Sequence, residues 1–263
     1  LRLLAGALLL RKSRTLLLER HIRTELRLDE KAARDMPTTP RFQIQTTSLN
    51  TGRPVCVERE GGLEVGWDPK RREVAREVVV NKGLHIATAV AASAAFPGMF
   101  PPRLVPYANT KVKTKIALAD GGIIDNTGIG QLANATKTET FECVIASDAG
   151  KALAHTVTHD SPGALSGATR ALNVALEHPN DTQIQLGASL WGAHFHHIRI
   201  DQPADTGYSG EIPRHLAELR TDVDSLTQLE FDALAHHGYR LAQERLRFEL
   251  VTAHPARAAT RPT

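Results

Sequence analysis

The chain has 263 residues, of which 41% are apolar and 23% charged, and its formal net charge is +3. That length fits one large α/β domain or two small ones, with a core that needs no staples. Aromatic residues make up 5%, and no arginine-rich run is interleaved with them, which excludes a nucleic-acid interface. Two cysteines, Cys56 and Cys143, cannot build a disulfide framework and read as buried free thiols.

Leu1–Leu10 is strongly apolar but too short to span a bilayer. No small-residue cleavage site separates it from Arg11-Lys12-Ser13-Arg14, so it does not read as a signal peptide. It reads as a helix that starts inside a domain; an amphipathic membrane anchor is the alternative. Leu18, Ile22 and Leu26 repeat every four residues within 15–28, with Glu19, Arg20, Arg23 and Glu25 between them. This spacing predicts an amphipathic helix with a solvated charged face. Pro37 and Pro40 end the helical region.

Phe42, Ile44 and Thr46 alternate with glutamines, and Val55 and Val57 alternate beyond the turn Asn50-Thr51-Gly52. These two runs predict a β-hairpin. A second turn at Gly61-Gly62 precedes Leu63–Trp67, and Val78–Val80 is a short extended piece. The alanine-rich run His85–Ala95 predicts a helix able to approach its neighbours closely, ended by Phe96-Pro97-Gly98.

Lys115–Ala119 predicts a buried strand with Asp120 at its carboxyl end, followed by the turn-forming Gly121-Gly122. Phe141–Ala146 predicts another, ending at Ser147-Asp148-Ala149-Gly150. Sites in open α/β sheets sit at the carboxyl ends of strands, so Asp120 and Asp148 both qualify by position. Residues 161–190 read as mostly helical with a break near Pro179, and His194–Ile200 as a strand. Residues 202–213 read as a loop, and Leu226–Leu250 as a long helix interrupted at Gly238-Tyr239. A single domain over 1–252 and a flexible tail over 253–263 complete the reading.

The order of an alanine-rich helix, a Pro/Gly loop (Phe96–Pro102), a strand and Asp120-Gly121-Gly122 resembles the patatin-like lipid acyl hydrolases. The turn Ser48–Gly52, the segment Ile145–Gly150, Arg220-Thr221-Asp222 and Gly238-Tyr239 extend that resemblance along most of the chain. It implies an α/β fold with a central, mostly parallel or mixed sheet flanked by helices. It also implies ester hydrolysis through a Ser–Asp dyad on a lipid or ester substrate, with no metal and no organic cofactor. Asp120 matches the family's catalytic aspartate.

The serine half, a G-x-S-x-G elbow, is missing from these residues. Ser189 lacks the second glycine, Ser209 has it shifted by one, and Ser147 and Ser166 lack the first. Ser93 sits among alanines in a helix. The expectation is therefore a lipid acyl hydrolase whose Asp120 serves a serine upstream of Leu1. Hydrolysis through Ser93 or Ser189 is a third-ranked reading. The alternative from another class is a catalytically inactive module that binds lipid or membrane surfaces, prompted by the apolar start and Arg11–Arg14. Either reading favours a cytoplasmic or membrane-peripheral location.

For Asp120 alone, position leaves two readings open: a turn cap using backbone donors, or a base. Asp148 reads as a turn residue. His194 and His196 would share a strand face near His197, and His155 and His159 stand four apart. A metal needs three or four converging ligands, and none stand out, so these histidines read as polar surface.

Overall fold

The computed structural model describes residues 2–68, 70, 72–108, 114–135, 140–150, 180–205, 207–219 and 226–253. His155, His159, Ser166, the helical stretch expected over 161–179, Arg220-Thr221-Asp222 and the tail from 254 lie outside the described residues. The chain forms two compact units, Leu1–Asn126 and Thr127–Thr263.

The first unit opens with α1 (Arg2–Glu25) and is built on strands β1 (Ile44–Ser48), β2 (Arg53–Glu58), β3 (Gly61–Asp68) and β4 (Glu73–Asn81). Helix α2 (Ile86–Ser93) and strands β5 (Arg103–Pro106) and β6 (Lys115–Asp120) follow. The strands form one sheet in the order β4-β3-β2-β1-β6-β5. Every pair in it is antiparallel.

This corrects the expectation of a central parallel or mixed sheet flanked by helices. The cause lies in connection length. Leu49–Gly52, Arg59-Glu60 and residues 69–72 join consecutive strands. Connections this short permit only antiparallel pairing, because a parallel step needs a crossover of a dozen residues or more. Gly52, at φ +67°, closes the first turn and donates its N–H to Ser48 O at 2.8 Å. The hairpin read from the sequence is thus the first turn of a four-strand meander, and Val78–Val80 is the end of a nine-residue strand.

The sheet curls until its two edges meet. Tyr107, just past β5, bridges Val80 of β4, and Ala108 N–H donates to Val79 O at 2.8 Å. The concave side is the core: Val55, Val80, Val105, Ile116 and Leu118 pack there with Ala92 of α2. Ala87, Ala89, Ala91 and Ala92 are fully buried, because short side chains let the helix backbone settle into the curl.

Among its described side chains, polar bonds anchor helix α1. Thr15 Oγ1 donates to Pro101 O at 2.6 Å. The Glu19 carboxylate accepts from Arg103 Nε at 2.7 Å, Thr88 Oγ1 at 2.8 Å and Arg23 at 3.1 Å. Burial alone would push the Glu19 carboxyl up, but the bonds from Arg103 and Thr88 and the charges of Arg103 and Arg23 outweigh it and hold it below the usual range. The outward residues Leu16 and Leu17 are 43% and 57% exposed. In β2, burial pushes the Cys56 thiol up to about 12, which makes it an inert packing group.

The second unit contains α3 (Ile129–Ala135), β7 (Val144–Asp148), α4 through residues 180–191, β8 (Phe195–Arg199), α5 (Ile212–Ala217) and α6 (Gln228–Ala253). Strands β7 and β8 pair in parallel. The connection between them, residues 149–194, is long enough for the crossover that parallel pairing requires. Gly187 of α4 lies flat on Phe195, where a Cβ would come within 2.6 Å of the ring. Trp191 then stacks on the same ring at 6.2 Å. Helix α6 runs unbroken through Gly238-Tyr239, contrary to the expected interruption. It docks through His237, fully buried, whose Nε2 lies 3.0 Å from Ile200 O.

Candidate functional site

Asp120 is the last residue of β6, opposite Thr46 of β1. Its backbone N–H donates to Ala95 O at 3.2 Å, which ties the strand end to the exit of α2. Its side chain folds over the following turn, where Oδ1 accepts the Gly122 N–H at 2.7 Å. This is the turn-capping arrangement, and it also fixes the carboxylate in one orientation. Among the described residues the other carboxylate oxygen meets no donor, and no serine hydroxyl bonds to it. Burial pushes the Asp120 carboxyl up, the Gly122 N–H opposes it, and the net shift is upward.

The two glycines after Asp120 are needed for space rather than for handedness. Neither has a positive φ. A Cβ on Gly121 would stand 2.5 Å from Gln45 O, so the turn can press against β1 only without a side chain. A Cβ on Gly122 would meet Asn126 Oδ1 at 2.8 Å. Asp125 returns its N–H to Gly121 O at 3.0 Å, closing the turn.

The serines weighed from the sequence are scattered. Ser93 ends α2 half-buried, Ser147 lies exposed on β7, Ser189 lies exposed on α4, and Ser209 lies exposed in a loop. None of them stands on a strand-to-helix elbow.

A second cluster gathers in the second unit, at the carboxyl end of β7. Ala146 lies opposite His197 in the parallel register. Asp148, two residues on, shares that face, since side chains alternate along a strand. Asp148 Oδ1 accepts the Gly150 N–H at 2.9 Å. Its Oδ2 faces His197 Nε2 at 3.4 Å and Asn180 Nδ2 at 3.4 Å. The Asp148 side chain is 8% exposed, and Asn180 is 5% exposed with its Oδ1 buried and unpartnered.

This cluster departs from the sequence expectation. His194 lies in a single 3-10 turn before β8, so it shares no strand face with His196. His197, on the opposite face, is the histidine that meets Asp148. The available signal was Asp148 at a strand end. The partner strand could not be identified, because its register is set across a long connection. Among the described residues no three His, Cys, Asp or Glu side chains converge. No protein-family model matches the chain, and no curated protein matches it either.

Proposed function

We propose that the chain carries the aspartate half of a Ser–Asp acyl-hydrolase site, acting on lipid or other carboxylic esters, with Asp120 as the base. The observation that supports this reading most directly is the Asp120 carboxylate. It is half-buried, held by one backbone donor, and keeps one oxygen without a partner among the described residues. A desolvated carboxylate has its proton affinity raised toward the operating pH, which is what a general base needs. The reading rests on this turn and on the order of motifs around it, not on the sheet, which is antiparallel.

The chemistry is acyl transfer. A serine hydroxyl attacks the ester carbonyl while its proton passes to Asp120, the alcohol leaves with a proton, and water then releases the acid from the acyl-enzyme. No serine of the described residues meets Asp120, so this reading requires the nucleophile to come from outside them. The test is fluorophosphonate labelling of the protein at its full gene-encoded length, with the adduct located by mass spectrometry. One stoichiometric serine adduct, slowed in Asp120→Asn, is expected. A folded protein that takes no adduct, or labels equally fast as Asp120→Asn, overturns the reading.

A second reading, a non-catalytic module that binds lipid surfaces, draws on α1. There Leu16 and Leu17 are exposed between the exposed Arg14 and Arg20. Co-sedimentation with anionic vesicles, lost in Leu16→Ser/Leu17→Ser, without any ester turnover, would favour it over the first.

A further inference from the structure

The Asp148–His197–Asn180 cluster is unexplained by the hydrolase reading and independent of it. Its distances are unusual for a simple ion pair. Charge-assisted N–H···O bonds run at about 2.7–2.9 Å. Here both nitrogen contacts to Asp148 Oδ2 are 3.4 Å. Both contacts meet at Asp148 Oδ2.

We propose that Asp148 Oδ2, His197 Nε2 and the side-chain oxygen of Asn180 bind one divalent first-row transition-metal ion, with water completing the shell. Two ligand atoms about 2.0–2.1 Å from a tetrahedral ion stand roughly 3.3–3.4 Å apart. The separation of Asp148 Oδ2 and His197 Nε2 matches that spacing. Since the amide oxygen and nitrogen of Asn180 exchange by a half-turn, the same 3.4 Å places its oxygen at that spacing from Asp148 Oδ2.

The supporting shell is present as well. Gly150 N–H holds Asp148 Oδ1 and thereby turns Oδ2 toward the other two groups. The parallel register fixes His197 on the face of Asp148. A mixed set of imidazole, carboxylate and amide oxygen suits Zn²⁺, Co²⁺ or Mn²⁺ better than a soft ion. With three protein ligands the ion keeps an open position, as reactive rather than purely structural sites do.

The test is direct binding to the chelator-stripped chain, using Co²⁺ absorption and calorimetry with Zn²⁺. One equivalent is expected, with the visible band of a low-symmetry Co²⁺ site, and Asp148→Asn and His197→Asn should each weaken it more than about tenfold. Asn180→Asp is the discriminating variant. Exchanging a neutral ligand for an anion should tighten Zn²⁺ by about tenfold or more, since affinity follows ligand charge. If Asn180 only hydrogen-bonds Asp148, the second carboxylate repels the first and Zn²⁺ binding does not tighten. Absence of a one-to-one site, binding indifferent to Asp148→Asn and His197→Asn, or no tightening in Asn180→Asp overturns the proposal. Should the first two variants fail to fold, Asn180→Asp decides alone.

Discussion

Asp120 and Asp148 share the same local device and differ in everything around it. Each ends a strand, and each accepts the N–H of a glycine two residues on, at 2.7 and 2.9 Å. Asp120 ends a strand of an antiparallel sheet and meets no second donor among the described residues. Asp148 ends a strand of a parallel pair and faces His197 and Asn180. A local motif therefore sets the orientation of a carboxylate, while the neighbouring strand sets its chemistry. A lone desolvated carboxylate tends toward a base; one among polar side chains tends toward a ligand or an ion pair.

The largest expected effect breaks the comparison at Asp120. If it is the base, Asp120→Asn should cut kcat/KM for an ester substrate by about 10²–10⁴-fold. The fold should survive, since an asparagine oxygen can still accept from Gly122. Activity in the wild-type protein should rise with pH through a limb above the ordinary carboxylate range, because burial raises Asp120. The stability consequence has the opposite sign. As pH rises, the unfolded chain loses this proton before the folded one, so stability falls through that window. Asp120→Asn should remove the fall, which urea titrations at several pH values would detect. An unchanged rate and an unchanged stability profile would leave Asp120 as a turn cap only.

Gly121 is the next test. Its missing Cβ lets the Asp120 turn lie against the backbone of Gln45. Gly121→Ala forces backbone, not a flexible side-chain tip, to move, so a loss of about 1–3 kcal/mol is expected. The denaturation midpoint reports it. The same variant should also slow ester turnover, since the Gly122 N–H that orients Asp120 follows directly.

Glu19 sharpens the contrast from the other side, as a carboxylate with three donors. Its folded value is depressed, so its contribution is complete above the unfolded value and lost as pH falls through the folded one. Glu19→Gln should cost about 1–2 kcal/mol at neutral pH and little in strong acid, because Arg103 and Thr88 lose a charged acceptor. Thermal melts across that range would show a pH dependence opposite to that of Asp120. Equal losses at both ends would place the stabilisation in packing.

Much of the local structure was readable from residues. The hairpin around Asn50-Thr51-Gly52, the alanine helix and the two aspartate-ended strands follow from period, turn chemistry and short side chains. The sheet's direction is readable too: the short connections at Leu49–Gly52 and Arg59-Glu60 demand antiparallel pairing, whatever sheet the family resemblance implies. Strand β5, four residues with Arg103 and Pro106, carries no periodic signal and is defined by its pairing with β6. The continuous helix through Gly238 shows that one glycine weakens a helix without breaking it when flanking residues such as His237 and Leu241 are anchored. The role of His197 depended on a register spanning residues 149–194, and nothing local announces that.

The smallest expected effect comes from the residue between each aspartate and its glycine. In the first unit this is Gly121, and in the second it is Ala149, which is exposed. The two turns make the same Asp-to-glycine bond, so the bond itself does not demand a small central residue; the packing of β6 against β1 does. Ala149→Gly should therefore lower stability by only about 0.4–1 kcal/mol, through the extra freedom of the unfolded chain. The Asp148–His197 geometry should be unaffected, as reported by the His197 ring resonances in NMR spectra. A loss as large as that of Gly121→Ala, or a displaced His197 signal, would mean that the central residue shapes the turn itself, and the distinction between the two aspartates would then begin in local sequence rather than in the strand beside them.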